Sequence, residues 1–97
     1  MGFDVVLHTT AFTDIDDAVS YYFQISPQLA LDVYAEIFDS IDVIADSPYF
    51  QFRYKDYRAF PLKRFPYLIL YTLNEKEMKI HVYAIFNTYQ NTDKYPK

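Results

Sequence analysis

The 97-residue chain is 52% hydrophobic and 21% aromatic, contains no Cys, and carries a formal net charge of −4. Its length fits one domain, which we place over residues 1–97, and its apolar content excludes an intrinsically disordered chain. The absence of Cys excludes disulfides and thiolate chemistry, and His8 and His81 alone do not make a zinc site. Gly2 is the one glycine, which excludes glycine-rich phosphate loops.

No apolar run approaches the roughly 20 residues that span a bilayer, and the N-terminus lacks a basic segment followed by an apolar one. We therefore expect a cytoplasmic protein that makes no membrane contact. We also expect no cofactor and no metal, because the sequence contains no motif that would bind either of them.

The charge is divided unevenly along the chain. Residues 1–50 contain nine acidic residues and no Lys or Arg, whereas residues 51–97 contain nine basic and four acidic residues. One interpretation is that a small α+β domain has acidic helices and a basic sheet. The other is that the protein has two faces for two different partners.

The first elements of the chain are a short strand and a helix. Residues 3–8 show the two-residue alternation of a strand. Thr13 is a candidate N-cap, and it precedes Asp14, Asp16 and Asp17, which we expect in a first helical turn, where the helix dipole favours anions. The apolar face of this helix is predicted to comprise Ile15, Ala18, Val19, Tyr22 and Phe23.

The next element is a second, longer helix. Ser26 and Pro27 end the first helix and begin the second one, as its N-cap and first helical residue. A 3.6-residue apolar period then continues to Ser47-Pro48. Its members are Leu29, Ala30, Val33, Tyr34, Ile37, Phe38, Ile41, Ile44 and Ala45. Because almost no loop separates the helices, we expect an antiparallel hairpin with apolar stripes towards one sheet and an acidic outer surface.

The rest of the chain is predicted to form strands. A polar, aromatic connector at residues 49–56 precedes strands at 57–62, 67–73 and 78–86, and residues 74–77 have the length of a hairpin connection. The resulting order β-α-α-β-β-β predicts an α+β fold, with the N-terminal strand and the helical hairpin packed on a mainly antiparallel sheet.

Two prolines define a turn between the first two of these strands. Pro61 and Pro66 donate no ladder hydrogen bond, so they must lie at a sheet edge or beside the turn. This arrangement puts Lys63 and Arg64 at the tip of a hairpin. The two cations are either a solvated turn or a binding site.

Four segments in this order resemble the RelE/ParE toxins of bacterial toxin–antitoxin modules, often labelled plasmid-stabilisation proteins. The segments are AFTDIDDAVSYY (11–22), SPQLALDVYAEIFDSIDVIADSP (26–48), DYRAFPLKRFPYLILYTL (56–73) and KIHVYAIFNTYQNTDKYP (79–96). The most specific feature is the pair Tyr57-Arg58 followed by FPYLILY at 65–71. The resemblance covers nearly the whole chain.

The resemblance implies one of two activities. RelE-like members cleave messenger RNA in the ribosomal A site, with basic groups that stabilise the transition state and a tail Tyr for proton transfer. ParE-like members instead poison DNA gyrase. Members of both branches are neutralised by an antitoxin whose disordered segment folds on the toxin surface.

The RNA-cleaving branch would assign catalysis to Arg58, Lys63, Arg64 and Tyr95. Leu68, however, stands where RNA-cleaving members commonly have an Arg, and NTYQN at 87–91 replaces a His or basic cluster. A phosphodiester transition state gains negative charge, so these missing cations weigh against cleavage. The chain therefore resembles the ParE-like branch more closely, and no residue is assigned a catalytic role there.

We accordingly predict a ParE-like toxin that binds a cellular target, with DNA gyrase suggested by the resemblance, and that a cognate antitoxin neutralises. The predicted partner-binding residues are Arg58, Lys63, Arg64, Tyr67, Tyr89 and Tyr95. The alternatives are a ribosome-dependent mRNA endoribonuclease and a decayed, non-toxic antitoxin-binding module. A homodimer and a hetero-oligomer with the antitoxin both stay open. We expect the antitoxin to place apolar anchors and basic residues near the acidic helices.

Overall fold

The computed structural model describes residues 2–89, apart from the side chain of Tyr54. The elements in chain order are β1 (Asp4–Leu7), α1 (Thr9–Phe23), α2 (Pro27–Asp46), β2 (Phe52–Tyr54), β3 (Tyr57–Pro61), β4 (Tyr67–Asn74) and β5 (Lys79–Asn87). The strands form one five-stranded sheet in the order β1-β5-β4-β3-β2. The predicted α+β class is confirmed.

The sheet is mixed, with one parallel pair. β1 pairs in parallel with β5, and the other three pairs are antiparallel. The chain reaches this arrangement because α1 and α2 separate β1 from the meander, and a parallel pair requires such a crossover. β4 lies at the centre of the sheet. The expectation of a mainly antiparallel sheet is confirmed.

The predicted connector at residues 49–56 contains a strand, so the expected count of strands was one too low. β2 comprises only Phe52–Tyr54, and its pairing with β3 shifts register between Phe52 and Tyr54. A three-residue strand with an irregular register leaves no two-residue alternation for a sequence pattern to detect. The hairpin of β2 and β3 turns at Lys55, whose φ is +50°.

The second helix begins where the sequence predicts. Ser26 is its N-cap, and the Ser26 hydroxyl accepts hydrogen bonds from the backbone N–H groups of Gln28 and Leu29. Pro27 occupies the first helical position, where its missing N–H costs nothing. These contacts satisfy two of the N–H groups that a helix start leaves without partners.

The first helix begins earlier than predicted. Its N-cap is His8 rather than Thr13, and Thr9 is the first helical residue. No acidic residue lies in the first turn, so helix-dipole stabilisation does not explain Asp14, Asp16 and Asp17. The start at Thr9 has a structural cause, because the His8 N–H donates to Val82 O and completes the pairing of β1 with β5.

The two faces of the sheet are unequal. The main core lies between the helices and the sheet, and it contains Ala11, Ile15, Ala18, Val33, Ile37, Ile41, Ile44, Leu62, Phe65, Tyr67, Ile69, Tyr71, Ile80, Val82 and Ile85. A smaller cluster on the opposite face contains Ala59, Leu68, Leu70 and Phe86, with Tyr57 and Ala84 packed against it. β4 is therefore buried on both faces, which accounts for its nearly continuous apolar sequence.

One buried hydrogen bond fixes the connection that leaves α2. Tyr71 on β4 is fully buried, and its hydroxyl donates to Pro48 O at 2.7 Å. Pro48 is also fully buried, so its carbonyl depends on that donor. The contact ties the segment after α2 to the central strand.

We predict that Tyr71→Phe lowers the free energy of unfolding by about 1–3 kcal/mol, because Pro48 O would lose its donor inside the core. Urea denaturation followed by circular dichroism measures this change. The matched control is Tyr34→Phe, since Tyr34 is 51% exposed and its hydroxyl can bond to water. Equal stabilities of the two variants would contradict the prediction.

Candidate functional site

The Lys63-Arg64 turn lies against α2 rather than free in solvent. Glu36 Oε2 accepts hydrogen bonds from the backbone N–H groups of both Lys63 and Arg64. The Arg64 guanidinium also pairs with Asp32 Oδ2 at 3.3 Å. The predicted hairpin tip is confirmed, and two carboxylates of α2 hold it in place.

The turn forms one wall of an open cleft. The cleft has a volume of about 390 Å³ and is lined by Glu36, Asp39, Ser40, Val43, Phe60, Lys63 and Arg64. Its cations therefore face acidic residues of the same molecule. Arg64 remains 61% exposed at the side chain, and its ion pair is of the solvent-screened kind that contributes about 0–1 kcal/mol.

Arg58 has a different environment. It lies on the helix side of the sheet, where its guanidinium donates to Phe50 O at 2.8 Å. The same guanidinium lies 4.1 Å from the ring centroid of Phe52 and 5.8 Å from that of Tyr49. These contacts join β2 and the preceding loop to β3, so Arg58 stabilises the weakest strand of the sheet.

The structure does not bring the three predicted cations together. Arg58 lies near the start of β3, whereas Lys63 and Arg64 lie in the turn that follows its end, and the groups that contact them are different. Tyr95 lies outside the described residues. The assignment of an RNA-cleaving role to these side chains stays a prediction from the sequence.

The two predicted tyrosines within the described residues differ in burial. Tyr67 is only 7% exposed, beneath α1, whereas Tyr89 is 87% exposed. Burial, together with the nearby Tyr22, Tyr21 and Asp17, raises the pKa of Tyr67 to about 12. The phenol of Tyr67 therefore stays protonated at physiological pH.

Asp14 connects α1 to the edge of β5. Its Oδ2 accepts a hydrogen bond from Ile85 N–H at 3.0 Å, and one helical turn earlier the Thr10 hydroxyl donates to Tyr83 O. Burial raises the pKa of Asp14, Asp17 raises it further, and the Ile85 N–H opposes the shift. The role of Asp14 is thus to complete the sheet edge, where the sequence predicted only a helix terminus.

An apolar groove on the outer surface of the helical hairpin was not predicted. It has a volume of about 410 Å³ and is lined by Val19, Phe23, Pro27, Ala30, Leu31 and Tyr34. Phe23 and Tyr34 were placed on the core faces of their helices, but they are 60% and 51% exposed. Leu31 is 64% exposed. The sequence feature that could have indicated this groove is the pair Leu31 and Tyr34, which are three residues apart and lie beside the apolar face of α2 that enters the core.

The groove lies within a surface that carries one sign of charge. Both helices fall inside the half of the chain that has nine acidic residues and no cation. Asp16, Asp17, Asp39 and Asp42 are exposed on these helices. The helices that form the apolar groove thus also carry exposed carboxylates, a combination that fits an amphipathic segment whose polar side is basic.

Residues 2–89 contain neither a metal-binding cluster nor a membrane-spanning helix. No three His, Cys, Asp or Glu side chains in this range lie close enough to hold a metal ion. No helix in the same range is long and apolar enough to cross a membrane.

Comparison with known proteins gives a consistent result. A family model described as "ParE toxin of type II toxin-antitoxin system, parDE" matches residues 5–91. The chain belongs to this ParE toxin family. A solved structure titled "Chromosomal ParDE TA system from P. aeruginosa" has a similar fold, with a TM-score of 0.76 and 17% sequence identity over 88% of this chain and 95% of that chain. No curated protein matches the chain.

Membership of the ParE family confirms the resemblance to RelE/ParE toxins that the sequence indicated. It also supports the placement of the chain in a type II toxin–antitoxin system. The shared fold extends over the helical hairpin and the sheet, the elements that carry the groove and the Lys63-Arg64 turn.

Asp14 provides a test of the contact between α1 and β5. The pKa of Asp14 is raised in the folded protein, so with rising pH the unfolded chain releases this proton at a lower pH than the folded protein does. The ionisation of Asp14 therefore lowers the free energy of unfolding as the pH rises above 3.8. Asp14→Asn keeps an oxygen for the Ile85 N–H and does not ionise. We predict that the stability of Asp14→Asn relative to the natural protein increases between pH 3.5 and pH 7, in the region above 3.8 where Asp14 ionises.

Urea denaturation at several pH values measures this difference. Asp16→Asn is the control for removal of one negative charge from the same helix, because Asp16 is exposed. A relative stability of Asp14→Asn that stays constant or decreases with rising pH would show that burial does not control this carboxyl.

Proposed function

We propose that this ParE family member is the toxin of a type II toxin–antitoxin pair, that it acts by binding DNA gyrase, and that a cognate antitoxin neutralises it. The observation that carries the proposal is the match of the family model to residues 5–91. Action by binding requires no convergent catalytic groups. Such an action is compatible with the different environments of Arg58 and of the Lys63-Arg64 turn.

Induced expression of the protein alone should inhibit bacterial growth, and the purified protein should reduce the supercoiling of relaxed plasmid by gyrase. Relaxation of the same plasmid by a type I topoisomerase is the control and should not change. Normal supercoiling at saturating protein would reject gyrase as the target. New cuts in translated messages, detected by primer extension, would instead support the RNA-cleaving alternative.

The apolar groove of the helical hairpin is a suitable binding surface for an antitoxin. The exposed side chains of Phe23, Leu31 and Tyr34 offer apolar contacts, and the exposed carboxylates elsewhere on the two helices favour Lys and Arg in the partner. We propose that an amphipathic segment of the antitoxin, apolar on one side and basic on the other, lies in this groove. Folding of that segment on the groove would neutralise the toxin.

Leu31→Asp tests the groove, because a charge placed there must lose water when the antitoxin binds. We predict at least about tenfold weaker binding of the cognate antitoxin, measured by calorimetry with the purified chain. Met78→Asp is the matched control, since Met78 is an exposed apolar residue outside the groove. Equal affinities of the two variants would place the antitoxin elsewhere.

A further inference from the structure

A second, polar pocket lies on the other flank of α1. It occupies about 180 Å³ between α1 and the adjoining ends of β4 and β5, enough for one side chain but not for a helix. The pocket is lined by Asp14, Asp17, Ala18, Tyr21, Tyr67, Ile85 and Asn87. It is separate from the apolar groove, which contains none of these residues.

Tyr67 is the most informative residue of this pocket. The residue is only 7% exposed, and its hydroxyl has no hydrogen-bond partner within residues 2–89. Every fully enclosed side-chain N or O atom in that range has a hydrogen-bond partner. Because the Tyr67 hydroxyl has none there, it must reach the open space of the pocket. A phenolic oxygen can both donate and accept, so a hydroxyl at the wall of an open pocket is available to a ligand.

The charges around this hydroxyl are all of one sign. Asp14 uses Oδ2 for the Ile85 N–H, which leaves Oδ1 for another donor, and Asp17 is exposed. Asp17 is among the groups that raise the pKa of both Asp14 and Tyr67. Within residues 2–89, the lining of the pocket therefore combines two carboxylates and a hydroxyl with no Lys or Arg.

We propose that this pocket receives one arginine side chain of a partner protein. A guanidinium has five N–H donors in one plane, which matches the carboxylates of Asp14 and Asp17 and the oxygen of Tyr67. Its flat face can stack on the ring of Tyr21, which is 57% exposed at the pocket. The chemistry holds whichever protein supplies the arginine, so it does not depend on the proposed gyrase or antitoxin roles.

The test is a titration of the full ¹⁵N-labelled chain with N-acetyl-arginine amide, followed by NMR. N-acetyl-citrulline amide is the matched probe, because it has almost the same shape but no charge. We expect saturable shifts of the backbone amides of Asp17, Tyr21 and Ile85 with the arginine probe only. An equal response to citrulline, or shifts spread without saturation over both helices, would overturn the proposal.

Variants locate the binding. Tyr67→Phe keeps the ring and removes only the unpartnered hydroxyl, so it should fold normally and bind the arginine probe about two- to tenfold more weakly. Asp17→Asn should weaken binding by a similar factor. Asp42→Asn removes one exposed carboxylate from α2, outside the pocket, and should not change the affinity. If Asp17→Asn and Asp42→Asn had equal effects, the binding would be general attraction to an acidic surface, and the proposal would be wrong.

Discussion

The outer edge of β5 is longer than the strand that pairs with it. β1 reaches only Val82, through the four residues Asp4–Leu7 and the N–H of His8. The next groups on that edge, Tyr83 O and Ile85 N–H, would lack partners if α1 did not supply them from Thr10 and Asp14. These two residues are four positions apart and so lie on the same face of a helix. These two hydrogen bonds join the start of α1 to the edge of β5 and thereby orient the helix on the sheet.

The position of α1 determines the surfaces on the helical side of the protein. Because its Thr10 and Asp14 face β5 and its Ala11, Ile15 and Ala18 face the core, Val19 and Phe23 are left beside α2. The apolar groove follows from that rotation. The polar pocket lies on the opposite flank, where Asp14 meets the sheet. One structural requirement of β5 thus creates both candidate binding surfaces.

The uneven charge distribution has two structural explanations. Part of it is used inside the fold, since Asp32 and Glu36 of α2 hold the Lys63-Arg64 turn. This agrees with the interpretation of acidic helices that face a basic sheet connection. The remaining carboxylates, including Asp16, Asp17 and Asp42, are exposed on the helices, where no Lys or Arg is near in sequence. Those exposed carboxylates are compatible with the second interpretation, in which the protein has two faces for two different partners.

Local sequence rules predicted the elements that local interactions determine. Ser26 and Pro27 cap α2 by contacts within three residues, so the start of α2 was predictable. The start of α1 depends instead on β5, more than 70 residues away in sequence, and no local signal at Thr9 shows that. β2 likewise depends on the contacts of Arg58 with Phe50 and Phe52, which appear only once the strands are folded together.

The candidate sites show the same division between local and long-range determinants. A cation in a sequence indicates a possible phosphate contact, but its role depends on the groups that face it after folding. Arg58 is engaged by aromatic rings and a carbonyl, and Arg64 by a carboxylate, so both are partly used within the fold. Tyr67 shows the reverse, because its ring is buried while its hydroxyl, which has no partner within residues 2–89, lies at an open pocket. A polar group that folding leaves unpaired in a pocket points to an external partner more directly than a charge that folding has already paired.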